Sequence, residues 1–84
     1  MRYEVSILRR AQKELASLPM EAYEQVKEII LSLAKEPRPA GCKKLTARQG
    51  WRIRISDYRI LYEIDDTRHT VLILHIGHRR DVYR

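Results

Sequence analysis

The sequence predicts an α+β fold. An N-terminal strand and an antiparallel helix hairpin pack on one face of a mainly antiparallel sheet of four to five strands. Three observations predict it. Apolar residues recur at helical spacing from Leu8 to Leu33. They recur at period two from Trp51 to Tyr62. The helices form one block and most of the strands another, which implies α+β rather than alternating strand and helix.

Tyr3, Val5 and Ile7 alternate with Arg2, Glu4 and Ser6, the pattern of a short strand with one buried face. Leu8, Ala11, Leu15 and Leu18 then give a first helix. Pro19 ends that pattern and suits the start of a second helix, expected from about Pro19 to Lys35. Its apolar stripe is Tyr23, Val26, Ile29, Ile30 and Leu33. Residues 36–41, rich in Pro and Gly, read as a loop. Residues 42–46 read as a brief edge strand guarded by Lys43 and Lys44, and residues 47–50 as a turn.

Trp51, Ile53 and Ile55 alternate with Arg52 and Arg54; after Ser56-Asp57, Tyr58, Ile60 and Tyr62 alternate with Arg59 and Leu61. A two-residue loop at Ser56-Asp57 sets Ile55 opposite Tyr58, Arg54 opposite Arg59, Ile53 opposite Ile60 and Arg52 opposite Leu61. One face of this hairpin is apolar and the other carries three guanidiniums. Like charges directly opposed on a ladder destabilise it by up to about 1 kcal/mol. A partner polyanion gives that arrangement a use. Residues 65–69 form a polar turn, and Thr70 to Ile76 is the last long strand, ended by Gly77. Val71 to Leu74 lacks polar alternation, so this strand is expected to be central, covered on both faces and paired with the first.

Eighty-four residues suffice for one domain with a single small core. The longest apolar run is too short to cross a bilayer, the N-terminus has no apolar leader, and the lone Cys42 fits a reducing cytoplasm. The net charge of +6 is uneven. Residues 1–40 hold seven Lys/Arg against six Asp/Glu, and residues 41–84 hold ten against five. The basic strand half points to a nucleic acid or an acidic protein partner.

Arg52, Arg54, Arg59 and Arg79 are candidates for holding a phosphate, since the guanidinium fork matches phosphate oxygens and stays charged. Clustered on rigid strands, they suit the extra negative charge of a pentavalent phosphate transition state. His78, beside Arg79, is a candidate proton donor or acceptor. His75, inside the last strand, reads as structural and His69 as a turn residue. Tyr83 is a candidate for stacking on a base or moving a proton. Lys43, Lys44, Arg48 and Arg80 are further basic candidates for binding a nucleic acid. The histidine spacing does not suit a metal site, and neither a phosphate-binding Gly-rich loop nor a nucleophile motif is present. No cofactor is therefore expected.

These residues resemble a known family. The stretch Trp51-Arg52-Ile53-Arg54, the strand Asp57-Tyr58-Arg59-Ile60-Leu61-Tyr62-Glu63-Ile64 and the ending Ile76-Gly77-His78-Arg79-Arg80-Asp81-Val82-Tyr83 are similar to the RelE toxins of the RelE/ParE superfamily. The resemblance covers essentially the whole chain. It implies the toxin of a type II toxin–antitoxin pair with a RelE-like, microbial RNase-type fold. It implies a metal-independent endoribonuclease that cuts mRNA in the ribosomal A site, on the small subunit and its rRNA. There the 2′-hydroxyl attacks the adjacent phosphate, leaving a 2′,3′-cyclic phosphate. It also implies a RelB-like antitoxin and contact with operator DNA only through the antitoxin complex. By position, Arg52 and Arg54 match basic residues of the family's active face, Arg59 the arginine on the scissile phosphate, Arg79 the C-terminal catalytic arginine and Tyr83 the C-terminal tyrosine. Two features depart from the best-known members: arginines replace lysines at 52 and 54, and the segment between Arg79 and Tyr83 is shorter. His78 is then the candidate for the acid–base work. The same scaffold also admits a ParE-like inhibitor of DNA gyrase, or a basic module that binds an acidic or amphipathic partner without catalysis.

Overall fold

The computed structural model describes residues 2–45 and 50–78. Elements follow in the order β1 (Glu4–Ile7), α1 (Arg9–Ala16), α2 (Met20–Ser32), β2 (Lys43–Lys44), β3 (Trp51–Ile55), β4 (Tyr58–Asp65) and β5 (Thr70–His78). One sheet has the strand order β1-β5-β4-β3-β2. β1 runs parallel to β5, with Val5 opposite Val71 and Ile7 opposite Ile73; the other pairings are antiparallel. The expected central place of β5 and its pairing with β1 are both present. A parallel neighbour requires a crossover, and the helix hairpin is that crossover's first part.

The hairpin register matches the alternation residue for residue: Arg52 opposite Leu61, Ile53 opposite Ile60, Arg54 opposite Arg59, Ile55 opposite Tyr58. Ser56 closes the loop at φ +52°, a left-handed conformation that non-glycine residues adopt at a cost. Gly50 sits at φ +131° at the entry to β3. A Cβ there would stand 3.2 Å from Leu45 Cδ1 and 3.3 Å from the Tyr62 carbonyl, so this position needs glycine.

The core lies between the helix hairpin and one sheet face. Ala11, Val26, Ile30 and Leu33 from the helical segment meet Ile53, Ile60, Tyr62, Val71, Ile73 and Ile76 from the sheet. Tyr62 is fully buried, and its hydroxyl donates to the Pro37 carbonyl at 2.8 Å. Burial pushes its ionisation well above the ordinary tyrosine range.

Three expectations are corrected. First, α2 stops at Ser32 rather than Lys35. Beyond it the Ala34 and Lys35 N–H groups bond to Leu31 and Ser32 in tighter turns, while the Ala34 carbonyl accepts from Tyr3 N–H at 2.7 Å. Second, Gly77 does not end β5, since Arg59 pairs with Gly77 and Tyr58 with His78. Third, Val71 and Ile73 are buried while Leu72 and Leu74 are only half-buried, so β5 is fully covered on one face alone.

Candidate functional site: an arginine-bearing sheet face

Side chains of directly paired residues share a face, so the ladder registers define the face opposite the helices. One transverse row holds Arg54, Arg59 and Gly77. The next holds Lys43, Arg52, Leu61 and His75. The strands therefore bring Arg52, Arg54 and Arg59 together, with Lys43 beside Arg52. Arg54 is exposed and Arg52 is half-exposed.

Arg59 departs from the expectation of an open basic face: it is 7 % exposed. Leu61, in the adjoining row, is 2 % exposed. A fork with most of its solvent removed interacts more strongly with an incoming phosphate than a solvated one, because the local dielectric is lower. Gly77 opposite Arg59 leaves the sheet surface low on that side.

Two residues of the predicted set fall elsewhere. His78 pairs with Tyr58 and shares the face of Ile76 and Ile55, which is the helix side. Its ring stands edge-on to Tyr58, with centroids 5.8 Å apart. Sequence proximity to Arg79 suggested a place among the arginines; strand alternation through Gly77 turns it to the other side. Lys44 pairs with Trp51 and so shares the opposite parity from Lys43. Arg48, Arg79, Arg80 and Tyr83 lie outside the described residues.

One feature of the face was missed in the sequence. Glu14 of α1 lies 2.8 Å from His75 Nδ1 through Oε1 and 2.6 Å through Oε2. The same Oε1 accepts the Ile76 N–H at 2.9 Å. Arg10 comes within 3.0 Å of His75 Nδ1 and 3.6 Å of Glu14 Oε2. The signal available was a break in period. Ile73 and Ile76 both point inward although three residues apart, because of an irregularity opposite Leu61 and Tyr62.

The far end of the sheet holds a 610 Å³ notch lined by Arg38, Lys44, Trp51, Glu63, Asp65 and Asp66, among others. It begins at Glu63, one row beyond that of Arg52 and Leu61, so it adjoins the arginine rows. Its organiser is Asp66, which accepts two bonds from Arg38 at 2.9 and 3.1 Å and one from the Tyr3 hydroxyl at 2.7 Å. The Arg38 guanidinium also lies over the Trp51 ring, 5.1 Å from its centroid. The Arg38 bonds, then that of Tyr3, hold the Asp66 carboxyl down at about 2. The folded value lies below the ordinary one of 3.8, so this stabilisation is full above about pH 4 and is lost as pH falls through about 2. Thermal melts of Asp66→Asn should therefore fall less steeply between pH 5 and pH 2 than those of the parent. Parallel slopes would show that the ion pair is fully screened at this exposed site.

Among the described residues no three His, Cys, Asp or Glu side chains group as metal ligands. No helix among them is long and apolar enough to cross a membrane.

With this geometry in view, the comparisons with known proteins agree with one another. Residues 5–83 match the family model described as the ParE toxin of the type II toxin–antitoxin system parDE. The chain is 36% identical over 86 residues to Toxin RelG of Mycobacterium tuberculosis, covering 100% of this chain and 99% of that protein. It is 33% identical over 84 residues to Toxin RelE of the same organism, covering 98% of this chain and 87% of that protein. Among solved structures, an archaeal RelE–RelB complex from Pyrococcus horikoshii superposes with a TM-score of 0.85 at 30% identity, over 98% of this chain and 100% of that one. The chain therefore belongs to the RelE/ParE superfamily and is a RelE-like toxin of a type II toxin–antitoxin system.

Proposed function

We propose that this toxin is a ribosome-dependent, metal-independent endoribonuclease that cuts mRNA in the A site and so stops translation. The observation that carries the reading is the row holding Arg54 and Arg59, two guanidiniums directly opposed on a ladder with one of them buried. That arrangement concentrates positive charge and suits a phosphate that gains charge as it reacts. The RNA 2′-hydroxyl attacks the adjacent phosphorus, and the bond to the 5′ oxygen breaks. Cyclic-phosphate and 5′-hydroxyl ends result. Arg52, Arg54 and Arg59 hold the phosphoryl oxygens; the resemblance of the C-terminal segment to the family supports adding Arg79 and Tyr83 to this reading. Lys43, with Lys44, Arg48 and Arg80, contributes charge toward rRNA, an interaction that weakens with salt.

A RelB-like antitoxin is the cognate inhibitor in this reading. The Pyrococcus relative was solved as a RelE–RelB complex, and a RelBE complex from Mycobacterium tuberculosis superposes with a TM-score of 0.83 at 33% identity. Operator DNA is then met through the antitoxin complex, in the cytoplasm.

Purified protein should cut mRNA on programmed ribosomes, leave cyclic-phosphate ends and keep its activity in chelator. Intact mRNA in that assay would reject the reading. The match to the ParE family favours a second one, inhibition of DNA gyrase. Loss of supercoiling by gyrase with no mRNA cleavage would establish that instead.

A further inference from the structure

The reaction proposed above needs a group that accepts a proton, and arginine stays charged at biological pH. His78 is turned to the helix side. The arginine face nevertheless carries an imidazole, His75. It pairs with Leu61, which pairs in turn with Arg52. His75 is also the diagonal neighbour of Arg59 across the β4–β5 ladder, a relation that spans roughly 7–8 Å between Cα atoms.

β1 ends at Ile7, opposite Ile73, and α1 then runs beside the continuing edge of β5. From that helix Glu14 caps the Ile76 N–H and meets His75 Nδ1. A carboxylate accepts and does not donate, which assigns the ring proton to Nδ1. Arg10 then contributes charge rather than a bond to that nitrogen. With Nδ1 turned to the helix, Nε2 lies on the far side of the ring, where the neutral imidazole carries its lone pair. Capping the strand edge needs only the carboxylate; the imidazole adds an oriented acceptor beside the arginines.

We infer that His75 is the proton-transfer residue of the arginine face and that Glu14 is its positioning residue. The inference rests on the ribonuclease reading. His75 Nε2 takes the proton of the 2′-hydroxyl as the O2′–P bond forms. The P–O5′ bond breaks, the 5′ oxygen takes a proton from water, and the imidazolium returns its own to solvent. Glu14 holds the ring in place through Nδ1 while Nε2 reacts.

The test is single-turnover mRNA cleavage on programmed ribosomes across pH, with ribosome co-sedimentation and thermal melting alongside. In His75→Asn the amide can still donate to Glu14 but cannot take a proton. This variant should fold and bind ribosomes, cut about 10²–10⁴-fold more slowly and lose one limb of the pH–rate profile. Glu14→Gln should slow cleavage less and displace that limb along the pH axis. If His75→Asn fails to fold, His75→Gln is read by the same criteria. A variant that cuts at the parent's rate with the parent's pH profile would reduce the pair to an edge clamp and overturn the inference alone. Intact mRNA with the parent protein would overturn the ribonuclease reading and this inference together.

Discussion

Arg59→Met should lower mRNA cleavage on programmed ribosomes about a thousandfold while leaving the protein folded. A factor of a thousand is about 4 kcal/mol of lost transition-state stabilisation. That is the scale on which one preorganised donor at a water-poor site contributes. Arg59 is the best placed of the arginines for such an effect, since it is 7 % exposed and flanked by Arg54 and Gly77 across its two ladders. Methionine keeps an unbranched apolar stem of similar length, so packing beneath the guanidinium is largely preserved. It also removes the like-charge opposition with Arg54, worth a few tenths of a kcal/mol to about 1 kcal/mol. Against that, Arg59 takes part in a further interaction, and taking one partner out of a buried interaction destabilises a fold. The signature is therefore a protein that still melts cooperatively beside a collapsed cleavage rate. Parent-like cleavage by a folded Arg59→Met protein would take Arg59 out of the site.

Ile73→Ala should have the largest effect on stability. Ile73 is fully buried on the central strand. It pairs with Ile7 on one side and Tyr62 on the other, and its carbonyl accepts the Leu8 N–H at 3.0 Å. It therefore packs where β1, the sheet and the helix pair meet. Removing its side chain costs about 2–5 kcal/mol in transfer and cavity terms. A domain of this size has roughly 5–15 kcal/mol in all. The melting temperature should fall on the order of 20 °C, at roughly 4–8 °C per kcal/mol. Leu72→Ala, at a half-buried neighbour on the opposite face, is the internal control and should cost clearly less. Equal losses in urea melts at the two positions would show that the arginine face is packed as tightly as the core.

Much of the fold was legible because side-chain period and backbone period coincide in short elements. Residues 51–62 state their own register, since a one-residue slip would put every isoleucine on the wrong side. The place of β5 was legible from an apolar run that needed neighbours on both sides. The element ends were not. α2 closes three residues early, where the Ala34 and Lys35 N–H groups reach back only three residues and the Ala34 carbonyl is left to accept from Tyr3. The site was legible in part. Its arginines share a parity that alternation exposes, whereas His78 was placed by sequence proximity and lies on the other face.

By itself, then, the sequence determined the α+β order, the hairpin register and the gathering of positive charge on one face, because these follow from local periodicity and composition. Only the tertiary structure decided how deeply Arg59 is buried, which face each histidine takes, and that Glu14 of α1 meets His75 of β5 across 61 residues. Those depend on a strand irregularity, which the sequence marks only as a break in period, and on contacts between distant elements, which no local pattern of residues encodes.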